Sequence, residues 1–281
     1  MTTVSAAHLV GDAATVAKRN LIKIKRVPDL LVFTTMQPIM FVLLFGFVFG
    51  SLAPADPQGY REFMMAGIFA QTIIFGATIT GSGMAEDMQK GIIDRFRTLP
   101  MHPGSVLFGR TISDLLNNLI VLVVMSLTGL VIGWRIREGF VKALVAYGLL
   151  LLFAYAFSWV MAFVGLKVRT PEIVNNAAFI VIFPLTFIAN TFVPAENMPA
   201  VLKTLAGWNP VSTITHAARE NFGNLFALPD AKGRTDAARL GEIEYTWALK
   251  HAELYTLGWV VLLLAIFVPL STAAYKKAVA R

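Results

Sequence analysis

Few residues in this sequence could do chemistry by themselves. It has no cysteine, which removes thiol nucleophiles, disulfides and thiolate metal sites. Its four histidines, His8, His102, His216 and His251, are scattered and form no metal-ligand spacing. The segment Gly104–Thr111, GSVLFGRT, superficially matches the phosphate-binding pattern G-x-x-x-x-G-K-[ST]. Arg110 stands where the phosphate-reaching lysine belongs, no strand precedes it, and an apolar run follows, so we reject the match. No paired carboxylates, histidine cluster or serine beside a histidine sits within an apolar run, which argues against an intramembrane enzyme. Asp114 and Glu172 lie near the ends of such runs, not mid-run, and this counts against proton coupling. If ATP drives this protein, another chain binds it.

The elements that carry these residues are set by hydrophobicity. Of 281 residues, 56% are hydrophobic and 15% charged, and the mean hydropathy is +0.66. A soluble domain of this size cannot hide that much apolar surface, whereas lipid solvates it. A spanning helix needs roughly 20 apolar residues. Six runs qualify: Leu30–Gly50, Phe63–Met84, Ile112–Gly133, Val141–Leu166, Ile173–Phe192 and Leu254–Ala274. The sequence therefore predicts an all-α, polytopic membrane protein. The net charge of +7 suits anionic headgroups rather than nucleic acid, because the basic residues flank apolar runs. With an even number of spans, one side collects Lys18, Arg19, Lys23, Lys25, Arg26, Lys90, Arg95, Arg97, Arg110, Lys167, Arg169, Lys276, Lys277 and Arg281. The opposite short connections hold Arg61, Arg135, Arg137 and Lys142. The richer side is cytoplasmic by the positive-inside rule, which puts both termini inside. Met1–Ala17 has no continuous apolar core and does not read as a cleaved signal peptide.

Three segments outside the spans carry pattern. Val10, Ala13, Ala14, Ala17, Leu21 and Ile24 recur at helical spacing, with Lys18, Arg19, Lys23 and Arg26 on the other faces. Such a basic amphipathic helix lies along the membrane surface, either as an anchor alone or also against a partner. The connection EDMQKGIIDRFRTLPMHPGSVLFGR, from Glu86 to Arg110, has Ile92, Ile93 and Phe96 at short helical spacing, with Asp94, Arg95 and Arg97 between them. It suits a groove on another protein, and it equally suits a connector dipping into the lipid interface. Before the last run comes a segment marked by Asn190, Pro194, Pro199, Asn209 and Pro210. Its apolar pieces Val201–Gly207 and Val211–Ala218 are too short to span and fit re-entrant or interfacial helices. Leu228–Lys250 is polar and reads as an external excursion. Within the runs, Gln37, Gln71, Asn117, Asn118, Asn175, Asn176 and Asn190 either join helices or touch substrate.

The Glu86–Arg110 segment, the basic N-terminal helix, the six runs and FIANTFVPAENMPAVLKTLAGWNPVSTITHAARE before the last run together resemble the ABC-2 type transporter permeases. The similarity is to daunorubicin-resistance-type drug and lipid exporters and covers nearly the whole chain. It implies a single transmembrane domain over residues 1–281. Residues 8–28 would be the interface helix, with Lys18, Arg19, Leu21, Lys23 and Ile24 facing a partner. Residues 30–192 would hold spans one to five, with a coupling segment at 85–110 that uses Gly91, Ile92, Ile93, Asp94, Arg95, Phe96 and Arg97. Residues 193–253 would form an external re-entrant helical hairpin and loop, and 254–281 the sixth span and a cytoplasmic tail. The resemblance further implies a second permease copy and two cytoplasmic ABC ATPase subunits that hold the ATP and magnesium. It implies export of amphipathic drugs, glycolipids or other lipids across a bacterial inner membrane, with no catalytic residue, metal or cofactor on this chain. An ion- or proton-coupled secondary transporter is the alternative.

Because the chain lacks cysteine, single cysteines report sidedness cleanly. Ser5→Cys and Lys277→Cys should label with impermeant reagents only from the cytoplasm, and Lys232→Cys only from outside. Labelling of Ser5→Cys and Lys232→Cys from one side would remove the six-span topology.

Overall fold

The computed structural model describes residues 11–19, 22, 28–48, 56–93, 104–227, 240–241 and 243–279, and the elements among them are helical. Helix α1 covers residues 11–19. The others are α2 (Pro28–Val48), α3 (Pro57–Gly76), α4 (Thr78–Gln89), α5 (Ser105–Val131), α6 (Phe140–Lys167), α7 (Pro171–Ile188), α8 (Ala200–Trp208), α9 (Pro210–Phe222), α10 (Trp247–Lys250) and α11 (Ala252–Val279). Among the described residues, five helices are long and apolar enough to cross a membrane: Pro57–Gln89, Ser105–Val131, Phe140–Lys167, Pro171–Ile188 and Ala252–Ala278. The remaining expected span, Leu30–Gly50, corresponds to α2, whose described apolar stretch is Met36–Val48.

Helix α6 is the centre of the bundle. Its sequence is apolar all round, which suits a helix flanked by other helices and by lipid. It packs against α4, α5, α9 and α11. The α4 contact depends on two glycines. A Cβ on Gly165 would overlap the carbonyl oxygen of Gly81, and one on Gly81 would stand 2.7 Å from the Met161 carbonyl oxygen. Small residues at both positions let the two backbones touch, a common route to helix association where no water is present to drive it.

The second expected span is interrupted at one residue rather than one regular helix. α3 and α4 meet at Ala77, where the Thr80 N–H reaches back to the Ala77 carbonyl at 3.1 Å in a tightened turn. The fifth span ends earlier than the run Ile173–Phe192 suggests, because α7 stops at Ile188. Its end is held from outside: Asn209 Nδ2 donates to the Leu185 carbonyl at 2.7 Å. The polar helix α9 is the main surprise. PVSTITHAARENF has little net hydrophobicity, yet most of its side chains are buried against α3, α6 and α11. It starts on the Asn209 side chain, which accepts from the Val211 N–H at 2.8 Å, with Pro210 as its first residue. It ends at Gly223, in the left-handed conformation at φ +72°.

Gly165→Ala should destabilise the protein by about 1–3 kcal/mol through overpacking against Gly81. Gly148→Ala is the control, since nothing lies within 4 Å of its added Cβ. Thermal melting in detergent should show a lower midpoint for the first substitution and an unchanged one for the second.

Candidate functional site

Two buried polar clusters lie at opposite ends of the bundle. The first joins α1, α4 and α5. Asp87, near the end of α4, is buried. Arg19 Nη2 of α1 and Arg110 Nη1 of α5 each stand 3.5 Å from its Oδ2. Arg110 continues past it: Nε lies 3.9 Å from Asp114 Oδ2, and Nη2 donates to the Ile79 carbonyl at 3.3 Å. The Thr80 hydroxyl also donates to Asp114. This path is open only because residue 83 is glycine, since a Cβ there would overlap the Arg110 guanidinium. The segment Gly104–Thr111 is therefore the cap and opening turns of α5, with Arg110 committed to carboxylates on its own chain.

Helix α1 sits on α5 through Ala13, Val16 and Ala17, which are buried, while Ala14, Lys18 and Arg19 are exposed. Val16 thus takes the place that spacing gave to Ala14. A Cβ on Gly109 would come within 2.6 Å of the Ala13 carbonyl oxygen, so the two backbones are in close contact. Leu21, Lys23 and Ile24 lie outside the described residues.

After α4 the chain turns at Gly91, where φ is +63°. Lys90 bonds back to Glu86 at 2.5 Å, and this hydrogen bond and charge hold its ammonium above the usual lysine range. Ile92 is half-buried. Ile93 is buried among Met84, Leu107, Trp159, Leu166 and Tyr275. Its side chain therefore anchors the connection onto the bundle itself and is not part of an outward ridge. Asp94, Arg95, Phe96 and Arg97 lie outside the described residues. The same apolar cluster gathers the ends of α4, α6 and α11, so the connection following α4 shares one end of the bundle with the C-terminal helix end.

The second cluster surrounds Arg219 of α9, which is 1% exposed. Its Nε donates to the Phe63 carbonyl at 2.9 Å, Nη1 to Asn190 at 2.8 Å and Nη2 to Thr191 at 2.7 Å. The guanidinium lies 3.4 Å above the Phe63 ring centroid. One side chain thus satisfies the irregular backbone that follows α7. Asn190 joins it a second time, its N–H donating to Ser212 Oγ at 3.0 Å. Nearby, Glu62 accepts a two-pronged bond from Arg137, Nε to Oε2 at 2.8 Å and Nη2 to Oε1 at 2.7 Å. That bond holds the Arg137 guanidinium above its ordinary range. Asn224 binds Glu62, the Arg135 carbonyl and Trp134 Nε1, the last at 2.7 Å. Of the proline markers, Pro194 is buried, Pro210 half-buried at the start of α9, and Pro199 exposed before α8. Sequence reasoning missed Glu62, Trp134, Arg137 and Asn224. The available signal was a charged residue at the edge of an apolar run opposite a connection rich in arginine.

Apolar crossing helices with charge confined to the two ends suit a passive channel wall as well as a driven transporter, and relatives decide between them. A profile for the ABC-2 type transporter family matches residues 13–222. The chain belongs to the ABC-2 type transporter family. It is 32% identical over 202 residues to a daunorubicin resistance ABC transporter permease protein of Streptomyces coeruleorubidus, covering 72% of this chain and 71% of that one. A probable doxorubicin resistance ABC transporter permease protein of Mycobacterium tuberculosis is 26% identical over 187 residues, covering 65% and 66%. A putative transport permease of Cyanophora paradoxa is 23% identical over 214 residues, covering 74% and 73%. As an ABC-2 permease the chain is the transmembrane subunit of an ATP-binding cassette exporter, and none of these relatives supports the alternative of an ion-coupled carrier.

Replacing Arg219 removes three donors and leaves buried carbonyls at Phe63, Asn190 and Thr191. Arg219→Met should cost about 3 kcal/mol or more, since each orphaned buried acceptor costs about 1–3 kcal/mol. Arg219→Lys should recover little, because an ammonium cannot reproduce the fork. Full stability of the methionine variant in detergent melting would refute this role.

Proposed function

We propose that this ABC-2 permease moves amphipathic small molecules or lipids out of the cytoplasm or inner leaflet of a bacterial inner membrane, powered by two copies of a separate ABC ATPase. Two relatives, a daunorubicin and a doxorubicin resistance permease, support an amphipathic aromatic cargo. In this reading α2 is the sixth span, both termini are cytoplasmic, and α8 with α9 forms the external re-entrant hairpin. Two permease copies would pair through α2 and α7, whose Met36, Met40, Phe47, Phe179, Ile180 and Phe187 are exposed apolar side chains. The external segment's short helices would then cap a pathway between the copies.

The observation that carries the mechanism is the shared carboxylate frame. Asp87 is bracketed by Arg19 and Arg110, and Arg110 reaches Asp114. A displacement of residues Gly91–Arg97 by a closing ATPase would therefore move α1, α4 and α5 together. ATP and magnesium would sit on the partner, and Ile92, Asp94, Arg95, Phe96 and Arg97 would be the contact, with Gly91 as the turn and Ile93 as the inward anchor. Lys18 and Arg19 on α1, with Leu21, Lys23 and Ile24, would form the adjoining interface helix.

Phe96→Ala should remove a buried anchor, and interface anchors commonly cost about 2 kcal/mol or more when truncated. That corresponds to about thirtyfold weaker binding of the ATPase. Arg95→Glu should also weaken the complex, and both variants should insert normally. Pull-down of the ATPase, with ATP-dependent efflux of an anthracycline or a fluorescent glycolipid, measures this. Full binding and full efflux by both variants would refute the coupling role.

A further inference from the structure

A cavity of about 200 Å³ lies inside the single chain, between α2, α3 and α5. Gln37 and Phe41 line it from α2, Gln71 and Thr72 from α3, and Asn117 and Asn118 from α5. Each amide sits near the middle of an apolar helix, where polar groups are costly unless used. Gln71 is 6% exposed, Asn117 8% and Asn118 3%. Gln71 Oε1 and Thr72 Oγ1 are buried and have no hydrogen-bond partner among the described residues. Two buried polar atoms left unmatched on side chains that line a cavity, in the last turns of α3, mark a place where a ligand supplies the missing bonds once those side chains turn toward it.

The lining selects the ligand. Among the described residues no lining side chain is titratable, so an ionic group would enter without a counter-charge from them and lose its hydration. The amides and Thr72 offer donors and acceptors together, which matches hydroxyl groups. Drug-sized ligands fill pockets of roughly 300–1,000 Å³, so this cavity takes one end of a molecule. Gln37 and Ile79 are exposed at its rim, leaving room for an apolar remainder to extend outward. We infer that this intramembrane cavity binds the uncharged, hydroxyl-bearing end of an amphiphile. It deepens the transport reading and rests on it only for the step from binding to movement.

The test is native mass spectrometry of the full-length permease with three probes that share a twelve-carbon chain: 1-dodecanoylglycerol, dodecanoate and dodecyltrimethylammonium. One saturable dodecanoylglycerol per chain is expected, with both charged probes at least tenfold weaker. Gln71→Leu and Thr72→Val should each weaken dodecanoylglycerol at least tenfold and leave the charged probes unchanged. Thr72→Val is nearly isosteric and carries the comparison if Gln71→Leu does not elute as a single species. Equal binding of the three probes, or dodecanoylglycerol binding untouched by the variants, would mean that the cavity holds only water and would overturn the inference. The measurement needs neither ATP nor the ATPase. Selective binding with failed ATP-driven efflux would therefore support the site while removing the transport reading.

Discussion

Asp87 is a carboxylate buried at the end of an apolar bundle, and much of the surrounding architecture follows from having to keep it there. Removing an ion from water costs several kcal/mol unless counter-charges and hydrogen bonds offset it. Arg19 and Arg110 supply the charge from two different helices, and Asp114 balances the far side of Arg110. Each partner constrains another element. Arg19 ties α1 to α4, while Gly109 lets the same helix lie close on α5. Arg110 demands a glycine at position 83. Ile93 then pins the start of the next connection into the apolar cluster at the same end. The end of the bundle that meets the proposed ATPase is thus a framework in which α1, α4 and α5 share charges.

The opposite end solves a different problem with similar means. The chain leaves α7 at Ile188 and runs without regular structure through Asn190 and Thr191, whose carbonyls have no helical partner. Buried irregular backbone is tolerated only where protein or water satisfies it. Arg219 does this from a helix that is itself polar, and Glu62, Arg137 and Asn224 lock the end of that helix to α3 and to the connection before α6. An element of this kind is rigid where its bonds are complete. The cavity beside Gln71 is the contrasting region, where bonds are left unmade.

Hydrophobicity made the long helices legible. The run Val141–Leu166 falls almost on α6, and Leu254–Ala274 lies within α11. The markers Asn209 and Pro210 gave the start of α9, because capping and a missing N–H are local properties. Its burial was not legible, since PVSTITHAARENF has the composition of a surface helix and is buried through polar partners far away in sequence. The interruption at Ala77 was hidden too, because no proline or glycine stands at that position. Ile93 looked like part of an outward ridge with Ile92 and Phe96. The turn at Gly91 instead sends it inward, a distinction that helical spacing alone cannot make. The chemistry of Arg110 was legible only as a failed lysine in a phosphate loop. What it does instead depends on Asp87, Asp114 and Gly83, which no local pattern links.

The central claim is that the Asp87–Arg110 contact carries motion from the ATPase into the spans. A double-mutant cycle on the ratio of substrate exported to ATP hydrolysed tests it most directly, using Asp87→Asn, Arg110→Gln and the pair in reconstituted complex. Groups that act through one contact are non-additive when both are removed. The account predicts that each single variant hydrolyses ATP but exports far less per ATP, and that the double variant is no worse than either. Losses that simply add, or single variants that export at the full ratio, would contradict it.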